Sequence, residues 1–176
     1  LPVYAANLTW DADTGTAGAQ DGAGTWNVAD ANWWNGAANV PWNNTTPDNA
    51  TLGAGTGAAG TITLGADIWA GSITLNAPGS GDYTIDASDH DLTVNNGITG
   101  GDAGAKTLTF SSTTNGAVVV NGVISDGSAD SVQIKMGVPN STLTLNGNNT
   151  FSGGVGGPNN YSTLILGHNN ALGTGT

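Results

Sequence analysis

The sequence contains no cysteine, no arginine, no glutamate and a single methionine. The lack of cysteine excludes a disulfide framework and thiolate metal sites. Residues that favour helices are scarce, whereas glycine occurs 29 times, so a helical protein is excluded. No apolar run approaches the roughly 18 residues of a membrane-spanning helix, so membrane insertion by this segment is not expected.

Positive charge is also scarce. Lys106 and Lys135 are the only fixed cations, against 13 aspartates and a formal net charge of −11. A nucleic-acid surface needs a row of cations to neutralise phosphates, and an anionic membrane would repel such a chain. Neither partner is expected. An acidic surface does suit a protein that stays soluble outside the cell.

Large apolar residues are few and unevenly distributed. Leu, Ile, Val and Phe total 33 of 176 residues, which together with the net charge meets the compositional rule for intrinsic disorder. Residues 1–60 hold only 6 of these 33 but five of the six tryptophans, and residues 61–176 hold the other 27. The sequence therefore predicts two parts, a Trp-rich N-terminal cap segment at 1–60 and an apolar-patterned domain at 61–176.

The second part alternates apolar and polar residues in short runs, which is the period of a strand with one buried face. These runs are 61–64, 72–75, 83–85, 92–94, 107–110, 131–134, 141–145 and 162–166. Turn clusters such as Asn95-Asn96-Gly97 and Asn121-Gly122 separate them, with the residue types that turns require. The pattern predicts an all-β domain.

An internal repeat narrows the architecture. The stretch 141–151 matches 162–172 at six of eleven positions, and 92–99 matches 118–125 less closely. A period near 20 without a helical part predicts a β-solenoid of about five to six coils. Each coil of such a fold needs only a few inward side chains, stacked in rows, rather than a thick core, which removes the conflict with the disorder rule.

Asparagines recur in the same repeat. Asn148 and Asn149 align with Asn169 and Asn170 when the two copies are superposed. Amides at equivalent positions of neighbouring coils can hydrogen-bond in a ladder along the axis. The sequence therefore predicts a stacking ladder through these four side chains.

The repeat motif resembles a known family. The strings Ser141-Thr-Leu-Thr-Leu-Asn-Gly-Asn-Asn-Thr-Phe-Ser-Gly-Gly154 and Ser162-Thr-Leu-Ile-Leu-Gly-His-Asn-Asn-Ala-Leu-Gly-Thr-Gly175 are similar to the autotransporter-associated β-strand repeat of bacterial passenger domains. The stretches Leu8–Asp13, Gly24–Asn27 and Ala31–Trp33 resemble the Trp-rich segment that often precedes such repeats, while residues 97–140 match loosely. The resemblance implies a right-handed parallel β-helix that is secreted or held at the bacterial cell surface.

The tryptophans of the first part allow two interpretations. They are Trp10, Trp26, Trp33, Trp34 and Trp42. Exposed indoles could stack on sugars. In a segment so short of aliphatic residues, we favour a buried cluster that caps the open end of the solenoid, where strand edges would otherwise be unpaired.

Two acidic groups are candidate sites. Asp11 and Asp13, with Asp21 further on, resemble part of a calcium loop but lack its bidentate Glu, so a solvated turn is favoured over a calcium site. Asp86, Asp89 and Asp91 surround His90, and paired carboxylates can cleave glycosidic bonds. An Asp-rich turn between strands is the favoured interpretation, and no other cofactor is indicated.

The leading functional hypothesis is a non-catalytic extracellular β-helix that serves as a stalk, adhesive passenger or fibre subunit. The alternative is a β-helix that binds or cleaves polysaccharide through the Trp cluster or through Asp86, Asp89 and Asp91. The small residues of Leu1–Ala6 resemble the end of a signal-peptide cleavage region, which favours secretion. Residues 171–176 stop within a repeat motif, so further coils or self-association through solenoid ends is expected.

Overall fold

The computed structural model describes residues 4–137, 141–157 and 162–175. Residues 1–3, which belong to the stretch that resembles the end of a signal-peptide cleavage region, lie outside these ranges. Within them the chain contains 18 strands and no helix, so no described helix could span a membrane. The strands are β1 Asn7–Trp10, β2 Gly24–Trp26, β3 Trp33–Trp34, β4 Asn39–Val40, β5 Asn49–Leu52, β6 Thr61–Leu64, β7 Ile68–Ala70, β8 Ile73–Leu75, β9 Tyr83–Asp86, β10 Leu92–Val94, β11 Gly97–Gly100, β12 Ala105–Ser111, β13 Ala117–Val120, β14 Val123–Ser125, β15 Ser131–Met136, β16 Thr142–Leu145, β17 Val155–Gly156 and β18 Thr163–Leu166.

The strands form three sheets, and the chain visits them in turn. The first sheet has the order β14-β11-β8-β5-β1-β3-β4, the second β17-β15-β12-β9-β6-β2 and the third β18-β16-β13-β10-β7. All pairs are parallel except β1–β3 and β3–β4. Each full coil runs from the second sheet to the third and then to the first. The predicted all-β parallel solenoid is confirmed. It has about four turns rather than the predicted five to six coils, because most coils are longer than the predicted period near 20.

The registers show how the coils stack. Leu143 pairs with Leu164, as the stronger repeat predicts, and Leu92 pairs with Val118, as the weaker match predicts. Elsewhere Ile62 lies opposite Ile85. The number of residues between paired positions differs among these three pairs, so a constant period does not describe the chain.

Inward side chains form continuous rows. One row is Ile62, Ile85, Phe110 and Met136, another is Ile68, Leu92, Val118 and Leu143, and a third is Leu8, Ala50, Ile73, Ile98 and Ile124. All of these side chains are buried. Each fully buried Val, Leu or Ile stabilises the fold by about 1.5–3 kcal/mol. Rows of single residues therefore supply the core that composition alone does not suggest.

Tight corners between the third and first sheets require glycine and asparagine. Asn95-Asn96 joins β10 to β11, and the first residue of β11, Gly97, has a φ of +107°. A Cβ at Gly97 would lie 2.0 Å from the carbonyl oxygen of Val123 in the next coil. A side chain there would be strained and would also force adjacent coils apart.

Parallel pairing continues across residue 60. Strand β5 pairs with β8, and β2 pairs with β6. The N-terminal segment thus supplies strands to two of the three solenoid sheets and adds the antiparallel β3–β4 hairpin at one end. The change at residue 60 is one of composition rather than of hydrogen-bonded structure.

Candidate functional site

Four of the five predicted cap tryptophans form a buried cluster. Trp10, Trp26, Trp33 and Trp42 are at most 3% exposed. Trp33 lies 4.8 Å from Trp26 and 5.3 Å from Trp10 between ring centroids, in edge-to-face geometry, which aromatic pairs prefer. Among the described residues, the indole N–H groups of Trp26 and Trp33 have no hydrogen-bond acceptor, whereas those of Trp10 and Trp42 donate to the Gly22 and Trp69 carbonyls. Ring packing therefore holds the centre of the cluster. These four indoles are inaccessible to a sugar.

Trp34 differs from the other four. It alternates with Trp33 along β3 and is only partly buried. Its partner across β1 is Thr9. The predicted set of five therefore contains four core residues and one residue on the outer side of the first sheet.

The three carboxylates of the candidate calcium loop bind other groups of the chain. Buried Asp11 accepts from the N–H groups of Asp13 and Gln20 at 3.1 Å. Exposed Asp13 accepts from the Thr16 hydroxyl at 2.9 Å. In the described part of the chain, no three acidic, histidine or cysteine side chains converge as metal ligands.

Asp21 connects the N-terminal segment to the first coils. Its carboxylate accepts hydrogen bonds from the Ala54 and Thr56 N–H groups at 2.8 Å and from the Tyr83 hydroxyl at 2.7 Å. Burial raises the pKa of Asp21, but these hydrogen bonds outweigh it and hold the pKa below its usual value. Burial, the hydrogen bond to Asp21 and its charge raise the pKa of Tyr83. Asp21 therefore has a structural role, because its carboxylate ties the N-terminal segment to Ala54, Thr56 and Tyr83.

The Asp86–Asp91 cluster is also engaged in local structure. Asp86 accepts from the Ser88 N–H at 3.0 Å, and Asp91 accepts from the Ala117 N–H of the next coil at 2.9 Å. His90 lies 3.4 Å from the Asp67 carboxylate, and Asp89 is exposed. Asp91 donates its own N–H to Asp67 at 3.1 Å, so aspartates link successive coils here.

One side-chain contact forms within the predicted asparagine set, and its pairing differs from the prediction. The side-chain amide of Asn170, rather than that of Asn169, donates to the side-chain oxygen of Asn148 at 2.8 Å. Asn149 is buried and bridges the Ile124 N–H and the Ala171 carbonyl. The pairs Asn148/Asn169 and Asn149/Asn170 were wrong by one position, because the turn after the strand adds one residue to the offset.

A cavity of about 240 Å³ lies beside one of the two lysines. Lys106 is buried on β12 and donates to the Ala103 and Gly104 carbonyls and to Asp102, at 2.8 Å from the carboxylate. Asp102 also accepts from the Ala77 N–H of the preceding coil. The ammonium thus has an internal acceptor set, and the cavity has no free cation for an anionic ligand.

The sixth tryptophan was missed by sequence analysis. Trp69 is 45% exposed on β7, between inward Ile68 and Ala70. The available signal was this apolar triplet, in which the middle residue must point outward if its neighbours are buried. The run does not alternate in polarity, so the period-2 pattern did not identify it.

The registers place Trp69 at one end of a surface, which we name the Trp69 face. It consists of the outward side chains of the third sheet and of residues that flank its strands, in three rows. The middle row is Trp69, Thr93, Val119, Thr144 and Ile165; the trailing row, at the corners that follow the strands, is Asn95, Asn121 and Asn146; the leading row is Asp67, Asp91, Ala117, Thr142 and Thr163. Asn146 donates to Asn121 at 2.9 Å. Five strands at the usual spacing make the face about 19 Å long.

Side chains of the N-terminal segment fix the backbone of Trp69. The side-chain oxygen of Asn44 accepts the Trp69 N–H, and the Trp42 indole donates to the Trp69 backbone carbonyl, both at 3.0 Å. Asn44 also donates to the Asp67 carbonyl at 2.8 Å. These polar groups occupy the hydrogen-bonding positions of a neighbouring strand, so β7 is held rigidly although no described strand pairs with that edge.

Comparison with known proteins gives one named relative. The chain is 34% identical over 140 residues to the adhesin BmaC autotransporter of Brucella suis biovar 1 (strain 1330), and the match covers 67% of this chain. It covers 4% of that protein, so the chain corresponds to a small part of its relative. No family model matches, and no solved structure gives a significant match. The parallel solenoid is consistent with a passenger repeat, and the chain is distantly similar to an autotransporter adhesin.

Proposed function

We propose that this chain is a non-catalytic segment of an adhesive passenger β-helix of the autotransporter-associated repeat type, secreted or displayed at a bacterial cell surface. The observation that carries the proposal is the similarity to an autotransporter adhesin over 67% of the chain. The parallel coils agree with it, because a solenoid presents extended faces that can contact another surface.

A non-catalytic role is supported by how the acidic residues are used. Asp21, Asp86 and Asp91 accept backbone hydrogen bonds from their own or neighbouring coils. A general acid would need a carboxyl group with a raised pKa, and the aspartate pKa values that are displaced, at Asp21, Asp102 and Asp126, are all lowered. These side chains serve the fold.

Adhesion can be measured with beads coated with the purified chain. We expect saturable retention on cultured epithelial cells or on extracellular-matrix proteins, with competition by the soluble chain. Beads coated with albumin are the control. Retention that the soluble chain does not reduce would contradict an adhesive role.

The same preparation tests catalysis and self-association. Incubation with a polysaccharide panel should release no new reducing ends. Release that disappears in Asp91→Asn would overturn the non-catalytic proposal. Sedimentation tests the predicted association through solenoid ends, which requires the mass to increase with concentration.

A further inference from the structure

The Trp69 face combines an exposed indole with an uncharged row of amides. Trp69 is 45% exposed, whereas four of the five N-terminal tryptophans form the core. Asn95, Asn121 and Asn146 are exposed in the neighbouring row, spaced one strand apart. We propose that this face binds a neutral glycan chain lying along the solenoid axis, with Trp69 stacked against a sugar ring.

The chemistry of the side chains fits that ligand. An indole offers a rigid apolar surface to the C–H face of a pyranose ring. A side-chain amide carries two donors and an acceptor, which suits adjacent sugar hydroxyls; Asn146 and Asn121 use one donor and one acceptor position in their mutual bond. Thr93 and Thr144 add hydroxyl groups in the middle row. At the leading edge, the carboxylates of Asp67 and Asp91 each use one oxygen to accept the N–H of Asp91 or Ala117 and carry a second oxygen.

Charge disfavours acidic glycans. Both lysines of the chain lie in the second sheet, Lys106 on β12 and Lys135 on β15. The Trp69 face therefore has no lysine; His90 lies 3.4 Å from Asp67, and Asp67 and Asp91 put two carboxylates at the leading edge. A sulfated or uronic-acid polymer would be repelled by this edge and by the net charge of −11.

The size of the face favours a linear chain over a protein. The three rows span about 13 Å along the strands, and the five strands about 19 Å across them, which gives roughly 250 Å². A stable protein interface needs about 800 Å² from each partner. The same area argument disfavours a second copy of this chain.

Rigidity adds to the case. Asn44 and Trp42 bond both backbone groups of Trp69, so the backbone that carries the indole is held before a ligand arrives. Binding then does not have to order this backbone, which lowers the entropy cost. The inference rests on the proposed function, because it names the class of partner that the adhesive surface takes.

The test is a binding assay with short neutral oligosaccharides (gluco-, manno- and galacto-oligosaccharides) and with heparin fragments and oligogalacturonates as acidic probes. We expect binding to at least one neutral probe and to neither acidic probe. Trp69→Ala should weaken it by at least about tenfold, as for a central aromatic anchor, and Trp69→Phe by less. Asn95→Ala should weaken it by roughly threefold. Tyr4→Ala and Val28→Ala remove exposed side chains elsewhere and should leave binding unchanged.

Several results would overturn the inference. They are no binding to any neutral probe, equal binding by Trp69→Ala with its circular dichroism unchanged, or preference for the acidic probes. A dimer in sedimentation that Trp69→Ala dissociates would assign the face to a second copy instead. Retention of coated beads that Trp69→Ala leaves intact would overturn the glycan partner and keep the adhesive role. Glycan binding without bead retention would overturn the adhesive role and keep the glycan partner.

Discussion

The two edge strands of the third sheet, β7 and β18, differ in their contacts within the described part of the chain. At β7, side chains of Asn44 and Trp42 bond the backbone groups that a further strand would use. At β18, no such side chain bonds the outer edge within the described ranges, and Leu166 is 49% exposed although its row partner Leu145 is buried. Polar side chains can thus take the hydrogen-bonding positions of a further strand at a sheet edge. The inward side chains of that edge strand, Ile68 and Ala70, are then buried.

The largest expected effect concerns the closed end. Trp33→Ala removes the side chain at the centre of the Trp cluster and should lower the free energy of unfolding by about 3–5 kcal/mol, because a large buried cavity remains. Leu166→Ala at the other end should cost less than about 1 kcal/mol, since that side chain is half exposed. Urea denaturation followed by far-UV circular dichroism measures both. Equal losses of unfolding free energy in Trp33→Ala and Leu166→Ala would contradict the proposed difference between the two ends.

Acid should weaken the aspartate hydrogen bonds that join successive coils. The hydrogen bonds from Ala54 and Tyr83 to Asp21, from Ala77 to Asp102 and from Ser152 to Asp126 help to hold these pKa values below normal. Groups with a depressed folded-state pKa stabilise the protein above the unfolded value, about 3.9, and this contribution is lost as pH falls through the folded value.

The free energy of unfolding should therefore be nearly constant from about pH 7 to pH 5 and fall below about pH 4. Thermal melts across this range measure it. Asp21→Asn should be less stable at pH 7 and should show a shallower decline in acid than the wild type. A decline of the same slope would assign the acid sensitivity to other carboxyl groups.

A smaller loss of stability is expected when the side-chain hydrogen bonds along the edge of β7 are removed. Asn44→Ala deletes its bonds to Trp69 and Asp67 and should cost about 1 kcal/mol. The unpaired edge should also promote association, visible as a higher mass in sedimentation. Asn170→Ala, which removes the Asn148 contact of the exposed ladder, is the matched control and should cost about 0.5 kcal/mol or less without association. If Asn44→Ala stays monomeric and fully stable, the side chains do not close this edge.

The smallest effect is expected from calcium removal. Asp11, Asp13 and Asp21 already accept hydrogen bonds from the chain. A chelator should leave the melting temperature unchanged within error. A decrease that calcium, but not magnesium, restores would establish the calcium site that the Asp11–Asp21 pattern suggested.

Sequence patterns predicted strands best where the outward residues are polar. Thr142–Leu145 alternates clearly, and its predicted register with Thr163–Leu166 is confirmed. The alternation of apolar and polar residues did not identify strands β13 and β7, because their outward residues Val119 and Trp69 are apolar. The asparagine pairing failed by one position because turn length, which the strand pattern does not contain, changes the offset between coils.

The candidate sites were harder to predict than the strands. Asp21 has the sequence context of a turn, yet its partners Ala54, Thr56 and Tyr83 lie far along the chain, in later coils. Trp69 has no neighbouring polar motif in the sequence. Its amide neighbours Asn95 and Asn121 join it only through the parallel registers of successive coils.

The sequence by itself determined the all-β class, the solenoid and the acidic surface, because these follow from local alternation, repeat spacing and net charge. Only the tertiary structure decided that four tryptophans form a core while Trp69 faces outward, and that Asn44 and Trp42 close one edge. The physical reason is that local alternation specifies the two faces of a strand, whereas the neighbours of a face depend on coil offsets that vary with turn length.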